Sequence, residues 1–146
     1  MPIQDLCFNE VVTARKHDTI FSAAKRMSEE GVGALVVLED NDAIAGIITD
    51  RDIVVSAVAK KVDNTTHISE IMTREVVKVA KGSGIAEVIE KMESHEVRRA
   101  VVVNEQGRAC GLISSDDLLQ LLGDELHSLG NLVSRQMSRK PRSKAA

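Results

Sequence analysis

Aromatic side chains are almost missing from this sequence. Its 146 residues include no tryptophan, no tyrosine and two phenylalanines, Phe8 and Phe21. That argues against recognition of single-stranded nucleic acid by stacking bases on rings. It also leaves the core to Val, Ile, Leu, Ala and Met. Cysteine is as scarce: Cys7 and Cys110 stand far apart and match no metal or disulfide spacing. Cys110, within A-C-G-L-I, reads as a small buried hydrophobe. No apolar run approaches the roughly 18 residues of a spanning helix, so no membrane role is expected. The opening MPIQDLCFNE lacks a basic region followed by an apolar stretch, so no signal peptide is expected and a cytoplasmic location follows by default. A net charge of −3 gives no global pull toward nucleic acid or membrane. The four histidines, His17, His67, His95 and His127, show no zinc-ligand spacing. No nucleophile elbow, P-loop or G-x-G-x-x-G is visible, which argues against a stand-alone enzyme.

What is present is a repetition. Residues 10–54 align without gaps on residues 75–119, an offset of 65, and twelve positions are identical. Among them are the pairs Glu10/Glu75, Met27/Met92, Gly46/Gly111 and Asp52/Asp117. Two copies of one small unit predict a pseudo-twofold pair sharing a core. Each copy has a β-branched run (Val11-Val12-Thr13, or residues 76–79). An amphipathic helical stretch follows, with Ile20, Ala23, Ala24 and Met27, or Ile85, Val88, Ile89 and Met92, at i, i+3, i+4, i+7. Two apolar strands come next, joined by a polar turn: Ala34–Leu38 with Ile44–Thr49, and residues 100–103 with Ala109–Ser114. A second helix closes each copy, over about residues 50–58 and 115–122. The fold expected is α/β (α+β), two β-α-β-β-α units packed sheet to sheet. The boundaries expected are 1–64, 65–133 and a basic, disordered tail at 134–146. The linker ends in a short helical turn near residues 67–72, and residues 1–9 are expected to pack on the second copy. Leucines from Leu118 to Leu132 predict a helix running past the repeat, and no acidic residue follows Glu125.

One pattern recurs at the second strand-to-helix junction: Gly46-Ile47-Ile48-Thr49-Asp50-Arg51-Asp52 and Gly111-Leu112-Ile113-Ser114-Ser115-Asp116-Asp117. A hydroxyl residue three positions before an acid is a capping box. The same geometry also suits a sugar. A carboxylate held ionised at a helix start accepts from two adjacent hydroxyls, and free N–H groups there favour an anion. Capping and ribose binding are compatible, because a carboxylate has spare lone pairs.

The duplicated unit with its G-h-x-[T/S]-x-x-D ending resembles the tandem cystathionine-β-synthase (CBS) domain pair, or Bateman module, over about residues 7–122. The stretch Val97-Arg98-Arg99-Ala100-Val101-Val102-Val103 is close to that pattern as well. The resemblance implies two clefts binding an adenine nucleotide of the AMP, ADP, ATP, NAD or S-adenosylmethionine class. It implies a homodimer of four units in a disk, a regulated partner protein, no catalysis and no required cofactor. On matching positions it gives Asp52 and Asp117 to the ribose, and Thr49 and Ser114 to sugar or phosphate. Arg51, Arg98 and Arg99 go to phosphate, and the backbone near Ala34 and Ala100 to adenine. Thr13 and Lys78 would line the pocket. One copy has Gly33-Ala34 where the other has Arg98-Arg99, so the clefts are not equivalent. The alternative reading is a ligand-free dimeric adaptor.

Overall fold

The computed structural model describes residue 3 and residues 11–139. Cys7, Phe8 and residues 140–146 of the expected tail lie outside the described residues, whereas residues 134–138 are helical. The chain divides into two compact units, Met1–Ser114 and Ser115–Ala146.

The first unit holds both repeats. Strand β1 (Thr13–Arg15) leads to helix α1 (Ile20–Glu30), then strands β2 (Ala34–Leu38) and β3 (Ile44–Thr49). Helix α2 (Asp50–Asp52) runs directly into a π-helical segment, Ile53–Val58. After a 3₁₀ turn at Ile68–Glu70, the order repeats as β4 (Lys78–Ala80), α3 (Ile85–Ser94), β5 (Arg99–Val103) and β6 (Ala109–Ser114). Each repeat forms a three-stranded sheet in the same order, β1-β2-β3 and β4-β5-β6. The first two strands are parallel and the last two antiparallel. Even the irregularity is duplicated, since the register shifts between Val37 and Leu38 and again between Val102 and Val103. Cys110 stands next to that shift and is half-buried, less enclosed than expected.

Alternation along the strands assigns each face. Leu35, Val37 and Ile48 turn toward α1, packing with Ala14, Ile20, Ala23 and Met27. Ala34, Val36, Leu38 and Ile47 turn the other way and meet Val101, with Val103 and Leu112 beside it. The two sheets therefore pack face to face through aliphatic side chains, and the sheet-to-sheet packing is as expected. The Thr19 hydroxyl starts α1 by accepting from Ser22 N, and Gly31, at φ 65°, ends it in the left-handed region that glycine adopts without strain.

The linker closes the edge of the first sheet. Ile47 N donates to Thr73 O, and Thr73 N donates to Ile47 O, each at 2.9 Å. Gly46 permits this approach, because a Cβ there would lie 2.5 Å from Thr73 O. At the other terminus, Ile3 is fully buried and its N donates to Ser83 O of the second repeat at 3.0 Å. The rest of the predicted N-terminal packing lies outside the described residues.

The first strands begin two residues later than the apolar runs suggest. Val11 and Val76 face the opposite sheet, and the ladder itself starts at Thr13 and Lys78. The expected α-helix over residues 50–58 is mostly π-helical, with Ala59 N donating to Val54 O at 2.9 Å. Phe21 on α1 and Val54, Val55 and Val58 on the π-helical segment remain exposed. The second unit contains helix α4 (Ser115–Ser138), 24 residues long and continuing well past the repeat. No helix among the described residues is long and apolar enough to cross a membrane.

Candidate functional site

The recurring motif ends β3 at Thr49 and starts α2 at Asp50, so its polar residues sit at a helix start. Thr49 Oγ1 accepts from Asp52 N at 3.1 Å, and Asp52 Oδ2 accepts from Thr49 N at 2.9 Å. The capping box is complete, and it occupies one carboxylate oxygen. Among the described residues no further hydrogen bond falls on Asp52 Oδ1. Asp52 and Thr49 are half-buried, whereas Arg51 is exposed. Asp50 is placed differently: its N donates to Gly33 O at 2.9 Å, and its carboxylate lies where a side chain on residue 33 would stand.

Register shows which other residues share that face. Ala34 pairs with Thr49, and Arg99 pairs with Ser114. Thr13 pairs with Val36, and Lys78 with Val101, both valines of the inter-sheet layer. Thr13, Ala34, Thr49, Lys78, Arg99 and Ser114 thus all belong to the faces that look toward the opposite sheet. Ala100 does not. It pairs with Ile113, is fully buried and points the other way, so Arg99 is the positional counterpart of Ala34.

A hollow of about 170 Å³ opens at the rim of the inter-sheet layer. It brings together Thr49 of the first repeat, Thr73 of the linker, and Glu75, Val76, Val77, Arg98 and Arg99 of the second repeat. Ile47 and Val97 add apolar wall. The hydroxyl and the two guanidiniums, predicted separately, therefore meet across the repeats. Thr13, Ala34, Lys78 and Ala100 are not among the residues lining this hollow. An adjoining hollow of about 540 Å³ shares Glu75, Val76, Val77 and Val97 and adds Lys78, Lys91 and His95. Thr73 and Glu75 were not among the site residues expected from the sequence, although Glu75 belongs to the repeat. Their signal was weak, a polar linker just before an apolar run, and only the Thr73–Ile47 bridge puts them in place.

In the second copy the order of residues is the same: Ser114 ends β6, and Asp116 and Asp117 lie in the first turn of α4. Asp117 is exposed. Among the described residues no group of His, Cys, Asp and Glu could hold a metal ion.

Two sheets of one topology, each ending in the same sequence motif, are matched by a known family over residues 3–58 and again over 68–124, the CBS domain. The chain belongs to the CBS domain family. Hypoxic response protein 1 of Mycobacterium tuberculosis is 33% identical over 120 residues, covering 82% of this chain and 83% of that protein. A CBS domain protein of Pyrobaculum aerophilum, complexed with AMP, superposes with a TM-score of 0.74 at 25% identity, over 80% of this chain and 89% of that one. The CBS domain pair of protein MJ0100, in complex with 5′-methylthioadenosine and S-adenosyl-L-methionine, gives 0.75 at 28% identity, over 86% and 98%. The chain is thus a CBS pair with a mixed α+β fold of two three-stranded sheets.

Proposed function

We propose that this chain is a regulatory CBS pair that binds an adenosine-type nucleotide and passes the bound state to a partner protein, without catalysis of its own. The observation that carries this is the meeting of Thr49 with Arg98 and Arg99 around one hollow beside the Asp52 helix start. Alone, about 170 Å³ is below the roughly 300–1,000 Å³ of ordinary ligand sites. The adjoining hollow extends it past the shared wall of Val76, Val77 and Val97. Apolar wall suits a purine, a hydroxyl and carboxylate suit the ribose, and guanidiniums suit phosphate. Relatives complexed with AMP and with S-adenosyl-L-methionine support the same ligand class.

Asp52 takes the ribose in this reading, with Thr49 on sugar or phosphate, and Asp117 with Ser114 does the same for the second copy. Arg51, exposed at the same helix start, is available to phosphate. The chain acts as a cytoplasmic homodimer of four CBS units. A ligand that binds one relative orientation of the repeats better than another shifts the population toward it, and a partner reads that shift.

The test is a dye-reported melting series with AMP, ADP, ATP, NAD and S-adenosylmethionine, since the chain has no Trp or Tyr to report. A ligand at about a hundredfold excess over its Kd adds about 2.7 kcal/mol to folded-state stability. The reading requires at least one of the five to raise the melting point in a saturable way. Five flat series up to millimolar ligand overturn it in favour of a ligand-free adaptor.

A further inference from the structure

Helix α4 carries an apolar stripe that the first unit's chemistry does not use. Leu119, Leu122, Leu126, Leu129 and Val133 follow one another at alternating spacings of three and four, and all are exposed. Leu126 is 70% exposed and Leu129 56%. That spacing is the a and d seam of a helix pair. Gly123 and Gly130 sit seven apart beside the seam, and a Cβ built on either would meet nothing within 4 Å. Glycine in mid-helix weakens the helix, so open glycines along an apolar seam suit close approach by another backbone.

The charges say which backbone. The first half of α4 carries Asp116, Asp117, Asp124 and Glu125, and the second half has no acid, with Arg135 in its last turn and Arg139 just beyond. A parallel pair of such helices would set acid against acid and base against base. An antiparallel pair sets the acidic half of each against the basic end of the other. A negatively charged membrane surface suits the helix less well, because four carboxylates lie along it.

We propose that α4 is the seam of a homodimer, pairing antiparallel with α4 of a second copy so that Leu126 of one lies opposite Leu129 of the other. This deepens the homodimer part of the reading above and rests on it; the nucleotide part is independent. A 24-residue helix is about 36 Å long, so in this register Leu122 lies opposite Val133 of the second copy.

Sedimentation velocity on the full chain tests the seam. The chain as it stands is expected to be a dimer, and the double variant Leu126→Glu, Leu129→Glu to raise the dimer Kd about a hundredfold or more, since two leucines leave each side. Both positions are exposed, so the helical signal and any nucleotide-induced melting shift should persist. For direction, Leu122→Cys and Val133→Cys are made separately with Cys7→Ser and Cys110→Ser and then mixed under oxidation. A mixed disulfide with little self-linking supports the antiparallel pair; self-linking of Val133→Cys overturns it. A dimeric double variant, or a dimer lost instead by Val54→Glu with Val58→Glu, overturns the α4 seam while leaving the homodimer intact. A monomeric unsubstituted chain overturns both, and so does helical docking on anionic vesicles in place of dimerisation.

Discussion

Thr49 and Asp52 hold each other across the first turn of α2, hydroxyl to amide at 3.1 Å and carboxylate to amide at 2.9 Å. The cap fixes where the Asp52 carboxylate stands while using only one of its oxygens. Asp52→Ala is therefore expected to show two separable losses. Folding stability falls by about 1 kcal/mol, the usual worth of a helix cap. Nucleotide affinity at that cleft falls by about 1.5–3 kcal/mol, the scale of hydrogen bonds to a charged group. Chemical denaturation reads the first and calorimetric titration the second. A stability loss with unchanged affinity would reduce the acid to a cap.

Asp117→Ala should weaken nucleotide binding by a similar amount, about 1.5–3 kcal/mol, at the second copy. Calorimetry on the single variants and on the double variant distinguishes one occupied cleft from two. Equal residual binding in both single variants, abolished in the double, is the result expected if both are used.

The arginines should discriminate by charge. Arg98→Ala and Arg99→Ala are expected to cost AMP or ATP about 1.5–3 kcal/mol each and adenosine much less, because hydrogen bonds to a charged group are the ones removed. Comparing the two ligands by calorimetry at low and high salt checks this. An equal loss for adenosine and AMP would place the phosphate elsewhere.

Gly46→Ala should be among the most damaging single-methyl changes in the chain. Its Cβ would stand 2.5 Å from Thr73 O and 3.0 Å from Met72 Sδ. Parting the two backbones breaks the reciprocal Ile47–Thr73 bonds, for an expected loss of about 2–4 kcal/mol in urea denaturation. Gly82→Ala, with open space around it, is the matched control and should stay within about 0.5 kcal/mol.

A gain is expected at Glu96. It has φ 52° at the end of α3, the position Gly31 fills after α1. A non-glycine residue in the left-handed region costs about 1–2 kcal/mol. Glu96→Gly should recover about 1 kcal/mol net of glycine's larger unfolded-state entropy, seen as a higher melting point.

Much of this fold was legible because the sequence states it twice. The bounds of β2, β3 and β6 follow from apolar runs stopped by Glu39-Asp40-Asn41-Asp42 and Asn104-Glu105-Gln106-Gly107, and the doubled motif locates both helix starts. The errors have physical reasons. Val11 and Val12 look like strand because they are apolar, yet Val11 serves the inter-sheet layer ahead of the ladder. The π-helical turn at Ile53–Val58 leaves no mark in a β-branched run that an α-helix of the same length could share. The offset of 65 matches Ala34 to Arg99, so the side chain of Ala100, one residue on, turns to the other face of its strand. The part played by Thr73 and Glu75 depends on a backbone bridge between distant residues, which no local pattern encodes.

The central claim is that a nucleotide's sugar and phosphate lie where Thr49, Arg98 and Arg99 meet, beside the helix start that Asp52 caps. The most direct measurement is a crystal structure of the full chain grown with whichever adenine nucleotide gives the largest melting shift. The account predicts ribose hydroxyls within about 3 Å of a motif carboxylate, Asp52 or Asp117, and phosphate oxygens against Arg98 or Arg99. A nucleotide bound elsewhere, with both carboxylates facing bulk water, would contradict it.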